Sequence, residues 1–329
     1  MSIHAFKKFV PISATALRKI LIKVVRVKDI LLIGGAGFLG RHLAATLAAQ
    51  EWNVGVLDRI PSGANGVTDF VGDLRDTSVI RPALARFPNV VYLAHESRST
   101  PSADRLPANF ISNIELFLTV LGEATDFQLE SFTLFSSGGA VYGEAQSPLI
   151  AESHPKNPCS PYGIAKLTME KYLAMTAFAH GFRGLSIRPS NPYGPGQNIA
   201  GAQGIIAVAM ARIARGQPIT IRGDGSAIKD YIFINDFCEG CACLISNPAA
   251  AGPFNVGSGQ GIKLIDLLNE IEGLVGRKAK LEFQPADPGD VTANVLDISK
   301  ITMAAGWQPQ TSLKSGLSKT WAWIKSQIG

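Results

Sequence analysis

The sequence predicts an α/β protein with a doubly wound parallel sheet and a smaller second α/β domain. Short apolar runs alternate with stretches of helical spacing over the first 190 residues, and this alternation is typical of a parallel sheet with helices on both faces. Glycine immediately follows the first apolar run. After Arg188 the chain becomes rich in proline and glycine before short elements resume, which indicates the second domain.

Asp29–Ile33 is the first predicted strand, since it is short, wholly apolar after its first residue and ended by glycine. The later apolar runs continue the series of predicted strands at 53–57, 67–71, 89–93, 132–135 and 185–187. Helical spacing between them predicts helices at 38–50, 77–86, 104–125 and 160–180.

Composition narrows the class of protein. The 329 residues are 46% hydrophobic and 17% charged, which excludes a disordered chain, and no apolar run reaches the ~18 residues of a membrane span. The net charge of +5 belongs to positions 1–28, where seven basic and no acidic residues stand, so the remainder carries −2. We therefore expect no nucleic-acid partner.

Residues 1–25 form a basic extension that we expect to lie outside the fold. Pro11 and Arg18-Lys19 interrupt its apolar residues, which disfavours a secretory signal. A dispensable extension and an interfacial membrane helix both remain open. Three of the four cysteines crowd into 238–243, which does not resemble a disulfide framework and favours the cytoplasm.

The segment Gly34-Gly35-Ala36-Gly37-Phe38-Leu39-Gly40 links the first strand to a helix. Glycine lets the backbone turn tightly and approach a pyrophosphate, and the helix N-terminus supplies free N–H groups. The strand–turn–helix context makes this a dinucleotide-binding loop of Rossmann type. The predicted cofactor contacts are Gly34, Gly37, Phe38, Leu39 and Gly40.

Two acidic residues follow the next strands. Asp58 ends the second strand, where a carboxylate accepts hydrogen bonds from a ribose diol and repels a 2′-phosphate, so the sequence favours NAD over NADP. Asp73 and Leu74 follow the third strand. They are predicted to lie near the adenine, with a helix-capping role for Asp73 as the alternative.

Tyr162 and Lys166 are four residues apart in a predicted helix, so they share one helix face. A nearby ammonium stabilises a phenolate, and we expect it to lower the tyrosine pKa from its usual ~10. This pair predicts a general base for an alcohol proton. The segments 136–143 and 188–194 each follow a strand and so lie at the carboxyl edge of the sheet, where ligands bind.

Together these motifs resemble the extended short-chain dehydrogenase/reductases, in particular the UDP-galactose 4-epimerase-like enzymes of the NAD-dependent epimerase/dehydratase family. The resemblance covers residues 26 to about 325. It implies NAD as cofactor, a UDP-sugar as substrate and a homodimer. Residues 26–190, with 231–257 returning to them, would bind NAD, and residues 191–230 and 258–329 would bind the sugar nucleotide.

The resemblance also implies roles for single residues. Tyr162 would be the base, and Lys166 would orient it and the nicotinamide ribose. The sugar nucleotide would be held by Asn191 and the segment 201–206, which includes Gln203 and Gly204. Lys229 stands where the family usually has a phosphate-binding arginine.

Lys229 is one of three positions that depart from the family pattern, and Gly138 and Asp287 are the other two. Gly138 stands where the family has its catalytic serine or threonine, and Asp287 stands where an arginine often grips the diphosphate. Ser137 is the nearest hydroxyl, but at this spacing it would point elsewhere unless the loop shifts. Either Ser137 substitutes, or water fills the gap, or activity is lost. The first two are favoured, which makes Ser137 a candidate catalytic residue, and Gly138→Ser is expected to raise the rate provided that Gly138 is not held at positive φ.

Gly139 and Ala140 stand where related dehydratases and decarboxylases carry acidic residues. Neither side chain has a proton to move, so the sequence disfavours both reactions. What remains is epimerisation at C4, a keto-sugar reductase, or a non-catalytic NAD-binding protein. No metal site is predicted, because the histidines lack ligand spacing and the cysteines of the 238–243 segment are interpreted as core-packing residues.

Overall fold

A computed structural model describes residues 28–95, 106–201, 204–286 and 290–328 of the chain. The basic extension 1–25, Gln203 and Asp287 therefore lie outside the described residues. None of the described helices is both long enough and apolar enough to cross a membrane.

Seven parallel strands form the main sheet. In chain order they are β1 (Lys28–Ile33), β2 (Trp52–Asp58), β3 (Thr68–Val71), β4 (Asn89–Tyr92), β5 (Ser131–Phe135), β6 (Arg183–Pro189) and β10 (Gly252–Val256). Their order across the sheet is β10-β6-β5-β4-β1-β2-β3. The order reverses between β1 and β4, and a ligand crevice is expected at this switch point.

Nine helices are described in the same residues. They are α1 (Phe38–Ala49), α2 (Thr77–Arg86), α3 (Leu106–Thr125), α4 (Pro161–His180), α5 (Ile205–Arg215), α6 (Ile234–Ser246), α7 (Leu264–Val275), α8 (Ser299–Ala305) and α9 (Leu313–Ile328). The four helices predicted from helical spacing are present as α1 to α4.

Both faces of strand β1 are apolar because helices cover both faces of the sheet. Ile30 and Leu32 pack in the same core as α1 and α6. Leu31 and Ile33 face the other way and pack with α2, α3 and α4. Helices on both faces confirm the predicted doubly wound sheet.

Two smaller sheets lie on the far side of the crevice. The first contains β7 (Asn191–Tyr193), β9 (Ile228–Phe233), β11 (Gly261–Lys263) and β13 (Ala293–Asn294); the second pairs β8 (Pro218–Arg222) with β12 (Lys280–Gln284). Because β7 begins two residues after β6 ends and pairs with β9, the chain passes directly from the main sheet to the smaller one.

Helix α4 has the local signals expected for a helix in a fixed position. Ser160 caps its N-terminus by accepting from the Gly163 N–H at 3.1 Å, and Pro161 occupies the first turn. Gly181 ends it with a left-handed φ of 74°. In α6, Cys238 and Cys241 are buried in the core, as predicted.

A buried ion pair joins α4 to the main sheet. Arg188 at the end of β6 donates to both carboxylate oxygens of Glu170 on α4, at 2.9 and 2.5 Å. The same guanidinium donates to the Tyr142 hydroxyl at 2.8 Å, and that hydroxyl donates to Asn255 at 2.6 Å. Arg188 is only 2% exposed, so each charge depends on its partner.

We expect Arg188→Met to lower the free energy of unfolding by about 3–5 kcal/mol, since it strands the buried Glu170 carboxylate. Arg81→Met is the matched control, because Arg81 pairs with Glu123 and Asp126 at the surface. The control should leave the urea midpoint nearly unchanged. Equal losses of unfolding free energy in the two variants would show that the loss in Arg188→Met does not come from burial of the Glu170–Arg188 pair.

Candidate active site

A cavity of about 860 Å³ opens at the carboxyl edge of the main sheet, beside the switch point. Residues of the main sheet and of the smaller sheet both line it. All predicted cofactor contacts are among the lining residues: Gly34, Gly37, Phe38, Leu39, Gly40, Asp58, Asp73, Leu74, Tyr162 and Lys166. The structure therefore brings these residues to one place.

The loop between β1 and α1 needs glycine at two positions. Gly34 has a φ of +82°, and a Cβ there would lie 2.6 Å from the Ala94 nitrogen. A Cβ on Gly40 would lie 2.5 Å from the Gly35 Cα, so the helix packs directly against the turn. Gly37 precedes α1 and offers no side-chain cap, which leaves first-turn N–H groups of α1 for a ligand.

Asp58 is fixed at the end of β2. Its carboxylate accepts from the Ala36 N–H at 3.0 Å and from the Arg59 N–H at 2.7 Å, so it faces the glycine loop. Asp73 accepts from the Arg75 N–H at 2.9 Å. The helix-capping alternative for Asp73 is wrong, because Asp76 caps α2.

Lys166 lies beneath Tyr162 and is 3% exposed. Its ammonium donates to the Phe135 carbonyl at 2.8 Å and lies 5.8 Å from the centre of the Tyr162 ring. Burial lowers the pKa of Lys166 to about 8, although Glu170, one turn further along α4, partly opposes the shift. The ammonium is thus held against the floor of the cavity.

The pKa of Tyr162 is raised above its usual value by burial, and a hydrogen bond with the Ser137 side chain opposes that rise. The sequence-based expectation that Lys166 lowers this pKa is therefore wrong. Burial has the larger effect on this pKa, and the Lys166 ammonium donates to the Phe135 carbonyl, while Ser137 is the hydrogen-bond partner of the hydroxyl.

Ser137 supplies a hydroxyl close to the position where Gly138 lacks one. It lines the cavity and bonds Tyr162, so it lies where the alternative in which Ser137 substitutes requires a hydroxyl. A Cβ on Gly138 would lie 2.6 Å from Leu296 Cδ1 and 2.9 Å from the Pro189 carbonyl oxygen. A serine at 138 therefore requires the Leu296 side chain and the loop to shift, and the expected gain in rate from Gly138→Ser stays a prediction.

The predicted sugar contacts are only partly brought together. Asn191 and Gly204 line the cavity, and the Asn191 amide is fixed by donating to the Asp230 carbonyl at 2.7 Å. Lys229 is not among the lining residues, since its ammonium donates to the Val291 carbonyl at 2.9 Å. Its expected role as a phosphate contact has no support in this geometry.

His95 is a cavity residue that the sequence reasoning missed. It lines the cavity, and its ring centre lies 5.0 Å from that of Tyr162 at an interplanar angle of 74°. The available signal was its place just beyond β4, at the same carboxyl edge as the glycine loop and Ser137. Spacing between histidines, which tests for metal ligands, does not detect such a residue.

Residues 30–257 match the family model described as the NAD dependent epimerase/dehydratase family. A UDP-glucose 4-epimerase of Mycolicibacterium smegmatis is 32% identical over 303 residues, covering 88% of this chain and 96% of that protein. The crystal structure of the Thermotoga maritima UDP-glucose 4-epimerase with UDP-glucose is 28% identical, with a TM-score of 0.84 over 92% of this chain and 100% of that one. The Thermus thermophilus UDP-glucose 4-epimerase in complex with NAD is 30% identical, with a TM-score of 0.83 over 90% and 99%.

We expect the buried Lys166 to give stability a distinctive pH dependence. The unfolded lysine has a pKa of about 10.4, whereas the folded one is lowered to about 8. Between these values the unfolded chain holds a proton that the folded protein has released, so the free energy of unfolding rises with pH, by up to about 3 kcal/mol.

Urea unfolding between about pH 7 and about pH 10 checks this expectation. Lys166→Met should lack the rise, whereas Lys171→Met, at an exposed position of the same helix, should keep it. A rise of the same size in Lys166→Met would mean that another group causes it.

Proposed function

This chain belongs to the NAD dependent epimerase/dehydratase family, and on that basis we propose that it epimerises a UDP-hexose at C4, with NAD as its cofactor. The observation that carries the proposal is the meeting of Tyr162, Ser137 and Lys166 with the glycine loop in one cavity. The named UDP-glucose 4-epimerases among its relatives support the substrate class.

The residues present fit NAD. The uncapped start of α1 offers N–H groups for a pyrophosphate. A Cβ on Gly37 would have only the Gly34 oxygen nearby, at 3.6 Å, so the loop leaves open space on that side for the dinucleotide. Asp58 is placed for a ribose diol. When bound, NAD supplies a hydride acceptor that is restored at the end of each turnover.

In this proposal Tyr162 moves the proton. Its phenolate oxygen takes the proton of the C4 hydroxyl as that carbon is oxidised, and returns it to the same oxygen when the hydride comes back to the opposite face. The Ser137 hydrogen bond favours the ionised phenol. Lys166 adds positive charge beneath the ring, and Asn191 and Gly204 hold the sugar nucleotide.

We also propose a homodimer built on α3 and α4. Large apolar side chains of these helices are exposed, namely Ile111, Ile164, Tyr172, Met175 and Phe178. Phe178 is 92% exposed, which is unusual for an apolar face without a partner.

Four free cysteines are consistent with the proposed cytoplasmic location.

The proposed division of the chain follows the sheets. Residues 26–190 would bind NAD, and 191–230 with 258–329 would bind the sugar nucleotide. The return of 231–257 to the first part is supported by β10, which joins the main sheet beside β6. Strand β9 itself lies in the smaller sheet, so the passage back would occur at its end.

Turnover of UDP-glucose and UDP-galactose tests the function, with the sugar composition followed by chromatography and the cofactor by absorbance. We expect interconversion without net consumption of NADH. Tyr162→Phe should lower kcat by ~10²–10⁴-fold, because it removes the proton-transfer group, with NAD affinity nearly unchanged. Tyr172→Phe, at an exposed position of the same helix, is the control and should turn over like the wild type.

Other outcomes would replace the proposal. Stoichiometric oxidation of NADH or NADPH by a keto sugar would identify a reductase. Binding of NAD and UDP-sugars without any turnover would identify a non-catalytic protein. Wild-type turnover by Tyr162→Phe would show that another group is the base.

We expect NAD to bind more tightly than NADP, by at least about tenfold or 1.4 kcal/mol. The reason is that the Asp58 carboxylate repels a 2′-phosphate. Asp58→Asn should narrow the gap by removing the charge, whereas Asp76→Asn, which keeps a good helix cap outside the cavity, should not. Calorimetric titration with both dinucleotides measures this, and equal affinities in the wild type would contradict it.

A further inference from the structure

The loop that carries Ser137 is fixed on one side by the main sheet. The Ser136 N–H donates to the Ile187 carbonyl at 2.7 Å, and the Gly138 N–H donates to the Pro189 carbonyl at 2.8 Å. Both acceptors belong to β6. These bonds determine where the loop leaves the sheet, but they leave the carbonyl of Gly138 to another partner.

That partner is Asn294, which lies on β13, 156 positions along the chain. Its side-chain amide donates to the Gly138 carbonyl at 3.0 Å, and the residue is 1% exposed. Strand β13 is itself held by β9, through pairing of Asn294 with Lys229 and of Ala293 with Ile228. The smaller sheet thus contributes a hydrogen bond across the crevice to Gly138, the residue next to Ser137.

Neighbouring contacts strengthen this link. The Thr292 N–H donates to Glu144, just past the loop, at 2.9 Å. Leu296 is fully buried and packs on Gly138, at the point where a Cβ would lie 2.6 Å away. Its N–H donates to Asp230 at 3.3 Å. The loop is therefore held from the smaller sheet at more than one point, and Asn294 provides the bond nearest to Ser137.

We infer that Asn294 is a positioning residue, which aims the Ser137 hydroxyl at Tyr162 by holding the Gly138 carbonyl. The inference rests on the proposed function, because Ser137 matters only if Tyr162 is the base. It follows that the smaller sheet contributes to proton transfer and not only to sugar binding.

A double-mutant cycle tests the inference. Ser137→Ala removes one hydrogen bond and should lower kcat by about tenfold. Asn294→Ala should lower kcat by a similar factor with little change in KM. In the double variant the second change should cost less than about twofold, since Ser137 is already misplaced. Asn294→Leu keeps most of the volume and should behave like Asn294→Ala, which guards against loss of folding as the cause.

The pH profile of kcat/KM separates positioning from a general loss of structure. The Ser137 hydrogen bond lowers the pKa of Tyr162, so its loss should move the rising limb of the profile to higher pH. Both single variants should show this shift, and the double variant should show no more. Multiplying losses in kcat, or an unmoved limb in Asn294→Ala, would overturn the inference.

Hydrogen exchange gives a readout that does not depend on turnover. Amides of residues 136–143 should exchange faster in Asn294→Ala than in the wild type. Asn89→Ala is the matched control, because Asn89 is also buried and donates to a main-chain carbonyl, at the opposite edge of the main sheet; it should leave this loop unchanged. If no UDP-hexose is turned over, the proposed function fails, and unchanged exchange in Asn294→Ala would separately overturn the positioning role.

Discussion

The buried ion pair of Glu170 and Arg188 is the constraint on which the active site depends. Both charges are out of water, so the geometry must be maintained for either to be tolerated. The pair fixes the middle of α4 against the end of β6. Tyr162, Lys166 and Glu170 follow one another at four-residue intervals along that helix, so fixing the last of them fixes the height and rotation of the other two.

The second organising feature is the shared edge of parallel strands. The glycine loop follows β1, Asp58 ends β2, His95 follows β4 and Ser137 follows β5. Residues far apart in the chain meet there because all these strands run in the same direction. Asn191, in strand β7 of the smaller sheet, lines the same cavity. The functional side chains thus come from strand ends, from the loops that follow them and from helix α4, whereas the middle of each strand serves packing.

The sequence was sufficient for the parts that depend on local pattern. The sheet, the glycine loop, Asp58 and the Tyr162–Lys166 spacing were all predicted in place. The misjudged parts depend on contacts between distant segments. The surroundings of Ser137 include Asn294 and Leu296, and the Tyr162 pKa is raised by burial, while the Lys166 ammonium bonds a main-chain carbonyl. Neither partner has a motif, so no spacing rule reveals it.

The Leu296 side chain packs so closely on Gly138 that it limits which residues can replace this glycine during evolution. A side chain at 138 meets both the end of Leu296 and the carbonyl of Pro189. A lineage that acquired a hydroxyl at 138 would need the Leu296 side chain and the Pro189 carbonyl to move. A smaller residue at 296 would make that room, but it would lose buried packing. A hydroxyl at 138 therefore depends on simultaneous adjustment of two distant segments, the end of β6 and the segment that carries Leu296.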